Sequence, residues 1–320
     1  MVERVSMTQT VIFGLGNVTL ETGFDLSDSN SRTHLGTLNQ NGGLALCGVV
    51  DPNPAETKVK HLQSAGIPCF SSPTLFFNRF SPTFAVIASP TDTHVSVMRE
   101  VVKQPSIDMI LCEKPFGINL AEAKELKSIL LHYKKRAFVN FPRRFHPNYR
   151  HLKKLVKKHG GKKTTVIARY GGSLENIGCH LIDILHWLFG TLTPTYTNGD
   201  EICPSFILQS PRDTEILVTG LGNTFQYQEF EIEVYFSSRY YKIGMNGTEI
   251  TSGKPKVGNG HAHSVFLEKN TEFYRQAYSF VGVYKEIAHQ ITKSGTSDLC
   301  TVDEAIINHQ TIQTIRAMNQ

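Results

Sequence analysis

Thr10-Val11-Ile12-Phe13-Gly14-Leu15-Gly16 is the stretch that decides the fold. Residues 10–13 form a short β-branched and aromatic run, and two glycines follow at once. A strand that ends in Gly-x-Gly turns tightly into the next helix. The missing side chains let backbone N–H groups approach a pyrophosphate at that helix N-terminus. Gly14, Gly16 and the adjoining Asn17 are therefore cofactor-binding candidates. The third glycine of G-x-G-x-x-G is absent, because Thr19 stands there. Taken alone, the turn is also compatible with a plain loop.

The pattern around it resolves the choice. Segments 10–13, 44–50, 84–88, 109–112 and 137–141 read as strands, short and continuously apolar, as parallel strands covered on both faces are. Helical patterns lie between them. One opens at Asn119 as a capping-box variant with Glu122, and it carries Ala123, Leu126, Ile129 and Leu130 on one face. Strand–helix alternation implies an α/β architecture with a doubly wound parallel sheet. The second strand ends in Asp51, placed to accept hydrogen bonds from an adenosine ribose and to repel a 2′-phosphate. The plain alternative for Asp51 is a turn residue before Pro52. The Gly14–Asp51 separation exceeds the usual ~20 residues. The surplus is expected in the polar stretch 21–32, as an inserted loop near the cofactor or the substrate mouth.

After residue 143 the texture changes, so domains are expected at 1–143 and 144–320. The later part reads as a basic amphipathic helix, with Tyr149, Leu152, Leu155 and Val156 on its apolar stripe. Strand-like runs follow at 164–170, 205–209, 215–219, 230–236, 240–243 and 247–250, and helices at 278–292 and 302–318. This is an α+β domain with an open, mostly antiparallel sheet. The lysines between 150 and 163 read as the wet face of a helix rather than a nucleic-acid patch.

Three polar clusters carry the chemistry. Ser89-Pro90-Thr91, with His94 beyond, follows the third strand at the carboxyl edge of the sheet, where ligands bind in open α/β folds; a helix cap at Thr91 or Asp92 is compatible with the same residues. Glu113-Lys114-Pro115 ends the next strand. A lysine there can donate to a substrate hydroxyl or carbonyl, and Pro115 is a candidate for a cis bond. The plain alternative is an exposed turn. Asn176 and His180 are spaced to share a helix face, and a histidine can take the proton from an alcohol. A satisfied core histidine is the alternative, and Trp187 reads as core. Gly178 inside that helical pattern costs about 1 kcal/mol relative to alanine, which close approach of a ligand or another backbone would explain.

Composition sets the remaining bounds. The chain has 320 residues, 40% of them hydrophobic and 19% charged, with a net charge of +5. That is ordinary for a globular protein and gives no ground for nucleic acid as a partner. The six cysteines form no C-x-x-C pair and read as free thiols in a reducing compartment. No secretory signal and no membrane-length apolar run is seen, so a cytoplasmic location without membrane partners is expected. No metal site is expected.

The ordered set Gly14-x-Gly16, Asp51-Pro52, Ser89-Pro90-x-x-x-His94, Glu113-Lys114-Pro115, Arg144-Phe145-His146-Pro147 and Gly178-x-His180-x-x-Asp183 resembles the Gfo/Idh/MocA oxidoreductases over nearly the whole chain. The resemblance implies an N-terminal Rossmann domain, an open-sheet second domain, and a homodimer or homotetramer formed through that sheet. It implies NAD as cofactor, with NADP less favoured, and a small sugar-like substrate. It makes Lys114, His180 and Asn176 catalytic candidates and places Glu113 near the nicotinamide ribose. Arg144 and Tyr170 join Lys114, Asn176 and His180 as substrate-binding candidates. Relatives often carry Asp where Asn176 stands, which leaves the acid–base work to His180 and Lys114. The leading expectation is an NAD(H)-dependent dehydrogenase or reductase of a sugar derivative, possibly nucleotide-linked. Two others stand beside it. One is transient oxidation with epimerisation or elimination and no net NADH; the other is a non-catalytic nucleotide-sensing protein.

Overall fold

The computed structural model describes residues 7–21, 32–38, 43–159, 164–211, 214–222, 229–257, 265–273, 280–293 and 295–319. The chain divides into two compact units, Met1–Pro142 with Ser279–Ile306, and Arg143–Tyr278 with Ile307–Gln320. The expected division at 143/144 is thus incomplete, because a C-terminal segment returns to the first unit.

In the first unit β1 (Thr8–Phe13) leads to α1 (His34–Leu38), β2 (Leu44–Val50), α2 (Glu56–Ser64), β3 (Cys69–Phe70) and α3 (Pro73–Phe77). Then come β4 (Phe84–Ile87), α4 (His94–Val102), β5 (Met109–Cys112), α5 (Leu120–His132) and β6 (Arg136–Val139). β4 and β5 are buried along their whole length, which accounts for their continuous apolar sequences. The α5 cap forms as expected. Asn119 Oδ1 accepts from Glu122 N at 2.9 Å, and Glu122 Oε2 accepts in return from Ile118 N at 3.1 Å. Ala123, Leu126, Ile129 and Leu130 are the buried face of α5. Each large side chain there contributes about 1.5–3 kcal/mol by leaving water.

The second unit contains α6 (Pro147–His159), β7 (Thr165–Tyr170), α7 (Cys179–Phe189), β8 (Thr193–Asn198), β9 (Ser205–Gln209) and β10 (Glu215–Gly220). It continues with β11 (Phe230–Phe236), β12 (Arg239–Gly244), β13 (Glu249–Val257) and β14 (Val265–Phe273). The chain then returns to the first unit with α8 (Val281–Thr292) and β15 (Cys300–Thr301). The unit boundary falls inside the last helix, α9 (Val302–Met318).

The first unit's sheet has seven strands in the order β15-β6-β5-β4-β1-β2-β3. All pairs are parallel except the edge pair β15–β6. The order reverses at β1, so the turn after β1 lies at the switch point where such sheets bind ligands. The second sheet has eight strands, β14-β13-β12-β11-β7-β10-β9-β8. It is antiparallel apart from β7–β10. Tyr149, Leu152 and Val156 of α6 and Leu181, Ile184, Leu185 and Trp187 of α7 pack on one face of it.

One feature of the first unit explains the long Gly14–Asp51 interval. Thr19 N and Leu20 N donate to Gly16 O at 3.2 and 3.0 Å, opening a helical turn. His34 N then donates to Val18 O at 3.0 Å, and Leu35 N to Thr19 O at 3.2 Å. The helix breaks off after its first turn and resumes at His34, with its hydrogen-bond ladder carried across an insertion. The inserted stretch expected at 21–32 is thereby fixed at both flanks; residues 22–31, and the loop's expected position near cofactor or substrate, lie outside the described residues.

Candidate functional site

Gly14 has φ +99°, a region that L side chains rarely adopt. A Cβ there would stand 2.6 Å from the backbone N and Cα of Ser89. Glycine is thus what lets the turn after β1 lie against the loop after β4. At Gly16 an added Cβ would meet nothing within 4 Å, so the turn faces open space. The leading N–H groups of a first helical turn lack intrahelical acceptors, and such groups cradle phosphate. Thr19 is fully buried and its hydroxyl donates to Gly14 O at 2.8 Å. The residue in place of the third glycine therefore ties the turn shut.

Asp51 closes the other side. Its Oδ2 accepts from Leu15 N at 2.7 Å and its Oδ1 from Asn53 N at 2.9 Å. A carboxylate has about four acceptor sites, so the two bonds leave capacity for ribose hydroxyls. An open glycine turn with a carboxylate beside it fits a dinucleotide. Lys58, on α2, stands at the same place: its Nζ donates to Asn17 Oδ1 at 2.9 Å. Burial pushes this ammonium below its ordinary value, against the pull of Asp51 and Glu21.

At the carboxyl edge of β4, Pro90 is exposed and Ser89 and Thr91 are half-buried. Thr93 Oγ1 lies 2.7 Å from both Ser89 Oγ and Pro90 O. His94 opens α4 just beyond this loop. It is fully buried, with Nε2 3.1 Å from Ser89 O and Nδ1 3.1 Å from Phe116 O. Its ring clasps the loops after β4 and β5.

Glu113 is 9% exposed at the end of β5. Its Oε1 accepts from His34 Nε2 at 3.0 Å and from Asn140 Nδ2 at 2.5 Å, and its Oε2 from Lys114 N at 3.2 Å. His34 Nδ1 in turn lies 2.7 Å from the Tyr284 hydroxyl. Burial raises the Glu113 carboxyl, but the His34 and Asn140 hydrogen bonds and the nearby Lys114 charge hold it below its ordinary value. The carboxylate fixes the backbone on which Lys114 stands. Lys114 is half-buried, and the Lys114–Pro115 bond is cis.

In the second unit Arg144, 1% exposed, grips Asp183 bidentately. Its Nε donates to Oδ2 at 2.9 Å and its Nη2 to Oδ1 at 2.6 Å. Asn308 Nδ2 of α9 adds a 3.0 Å bond to Oδ1. Arg144 thus anchors α7 through Asp183. Tyr170 ends β7. It is fully buried, and its hydroxyl donates to Pro204 O at 2.7 Å.

His180 lies in the first turn of α7, 8% exposed, whereas Asn176 is exposed. They do not belong to one regular helix. Ser173 O accepts from Asn176 N, Ile177 N and Gly178 N, so residues 174–178 form a widened turn before α7 begins. A Cβ at Gly178 would stand 2.9 Å from Leu174 Cδ1 and 3.1 Å from Tyr170 Cε2. The glycine there answers to core packing rather than to ligand approach. Trp187 is core, as expected, with Lys153 Nζ 3.9 Å from its ring centroid.

His34, Lys58, Asn140, Tyr284 and Asn308 were missed by the motif reading. Each partner is distant in sequence, so no local spacing marks it. Only His34 carries a signal. Once the insertion is removed, it continues the helix that Gly16 opens.

Residues 9–141 match the model of an oxidoreductase family with an NAD-binding Rossmann fold. A stretch of 120 residues is 26% identical to the rhizopine catabolism protein MocA of Rhizobium meliloti, covering 33% of this chain and 37% of that protein. The chain therefore spans little more than a third of that relative's length in the match. Two solved structures share the fold across 98% of this chain. The super-repressor mutant of Gal80p from Saccharomyces cerevisiae matches over 96% of its length with TM-score 0.77 and 13% identity. The WlbA dehydrogenase from Bordetella pertussis, in complex with NADH and UDP-GlcNAcA, matches over 97% with TM-score 0.73 and 14% identity. Among the described residues no helix is long and apolar enough to cross a membrane. Residues 9–141 are thus similar to the NAD-binding Rossmann domains of that oxidoreductase family.

Proposed function

We propose that this protein is an NAD(H)-dependent oxidoreductase acting on a hydroxyl or keto carbon of a sugar derivative, with nucleotide-linked sugars the favoured class. The observation that carries the reading is the turn after β1: Gly14 packed on Ser89, Gly16 facing open space and the Asp51 carboxylate beside Leu15 N. The nicotinamide, when bound, supplies the hydride acceptor or donor. Gly14, Gly16 and Asn17 hold the pyrophosphate, Asp51 the adenosine ribose, and Ser89, Pro90 and Thr91 line the path toward the nicotinamide. Lys114 donates to the substrate oxygen, aimed by the Glu113 carboxylate that holds its backbone N–H. His180 takes or gives the hydroxyl proton, and the Arg144–Asp183 pair holds the helix that carries it. Asn176 is a neutral substrate contact.

The substrate class is supported by what WlbA binds. Assembly of copies through the open face of the eight-stranded sheet belongs to the same reading. That face presents Leu217, which is 37% exposed, and sedimentation measures the assembly directly. The Gal80p likeness favours a second reading, a cofactor-binding protein that senses rather than catalyses. Single-turnover absorbance of bound nicotinamide against a panel of nucleotide-linked and free sugars separates the two. A redox change that Lys114→Ala abolishes is the expected result. A wild type that binds NAD(H) yet stays silent across the panel favours the sensor, and a signal that rises and decays without net NADH indicates transient oxidation.

A further inference from the structure

We propose that Lys58 is a cofactor-binding residue that sets dinucleotide choice: its ammonium offsets the Asp51 carboxylate and lets the site admit a 2′-phosphate, so that NADP(H) binds as well as NAD(H). The inference rests on the cofactor reading above and deepens it.

Three observations meet at this side chain. Lys58 stands in the first turn of α2, the helix that follows the β2 edge carrying Asp51. Its side chain is turned inward and is 7% exposed, whereas lysines are almost never buried without a partner. Its Nζ donates to Asn17 Oδ1 at 2.9 Å, which brings the charge to the glycine turn. The glycine turn is therefore bonded on one side to the Asp51 carboxylate, through Leu15 N, and on the other to the Lys58 ammonium, through Asn17.

Asp51 is already engaged by Leu15 N and Asn53 N, so its charge is partly met by amides before any ligand arrives. A lone carboxylate at this edge excludes a 2′-phosphate by like charge. A lysine beside it lowers that repulsion and offers the phosphate a charge-assisted donor, and its flexible stem lets it swing from Asn17. Its bond to the neutral Asn17 amide is exchanged for one to a group of opposite charge when it moves. The ordinary amino-acid pattern of a ribose-binding acid after β2 does not disclose this, because Lys58 is seven positions beyond Asp51.

The test is equilibrium titration of the purified full chain with NADH and with NADPH, read by nicotinamide fluorescence, for wild type, Lys58→Met and Lys58→Arg. Thermal unfolding verifies that each variant is folded. We expect the wild type to bind both dinucleotides. Lys58→Met should weaken NADPH by about 10-fold or more, the scale of one lost hydrogen bond to a charged group, and NADH by much less. Lys58→Arg should retain NADPH binding. Equal weakening of both by Lys58→Met, or none, overturns the proposal while leaving the cofactor reading standing. A wild type that binds NADH but not NADPH also overturns it. A wild type that binds neither dinucleotide overturns the cofactor reading itself, and this inference with it.

Discussion

The decisive residue in the second unit is Asp183 rather than the histidine it accompanies. Asp183 is fully buried and receives two bonds from Arg144 and one from Asn308. Removing one partner of a buried ion pair strands the other charge, at a cost of about 3–5 kcal/mol. Asp183→Ala is therefore expected to lower the thermal midpoint sharply, and Arg144→Met by a similar amount. A change of a degree or two in either would show that the pair is not buried in solution. His180→Ala should behave oppositely, leaving the midpoint nearly unchanged and lowering kcat by about 10²–10⁴-fold. A folded His180→Ala enzyme with normal turnover would make His180 a core residue. The motif Gly178-x-His180-x-x-Asp183 is legible in the sequence, but its division of labour is not. Sequence spacing shows that residues share a segment, and only burial shows that Asp183 is sealed behind Arg144.

At the scale of elements, the sequence reveals what periodicity and caps specify. The α5 face, the Asn119 cap and the continuous apolar strands β4 and β5 all follow from local pattern. β8 and β14 do not, because neither carries a sustained apolar alternation. β8 is mostly exposed and contains Pro194, while β14 runs through Glu268, Lys269, Asn270 and Glu272. Their pairing supplies hydrogen bonds without the alternation that would announce them. The interrupted helix is a subtler case. A helical bond from Val18 O reaches four residues on, to position 22. His34 stands there, so residues 22–33, twelve in all, are additional. Deleting residues 22–33 should join Glu21 to His34 as one continuous helix. Thr33, whose Oγ1 accepts from Gly36 N, is then no longer needed as a cap. We expect this variant to fold with a thermal midpoint within a few degrees of wild type. Loss of the cooperative transition would mean that the insertion supports the Rossmann core instead of interrupting it.

Across the molecule, two titrating groups, the buried Glu113 of the first unit and the half-buried His309 of the second, tie stability to acid. In the first unit, Glu113 is held below its ordinary value despite burial, by the hydrogen bonds of His34 and Asn140 and the nearby Lys114 charge. The unfolded chain therefore takes up this proton at a higher pH than the folded chain does. The stabilisation is complete above the ordinary value of 4.5 and is lost as pH falls through the lower folded value. In the second unit, burial in α9 pushes His309 down from 6.5 to about 4. The unfolded chain again binds the proton first, so stability falls as pH drops from about 6.5 and the loss is complete near 4. The two windows overlap between 4.5 and about 4, and each is removed by its own substitution. Urea unfolding at a series of pH values from 8 to 3.5 should show a midpoint that is level above pH 7 and declines below about 6.5. His309→Gln should flatten the decline between 6.5 and 4 while leaving the fall that sets in below 4.5. Glu113→Gln should start from a lower midpoint at pH 8, because the stabilising carboxylate is gone, and should lose only the fall below 4.5. A wild-type midpoint that does not change between pH 7 and 5 would show that His309 is solvated in solution.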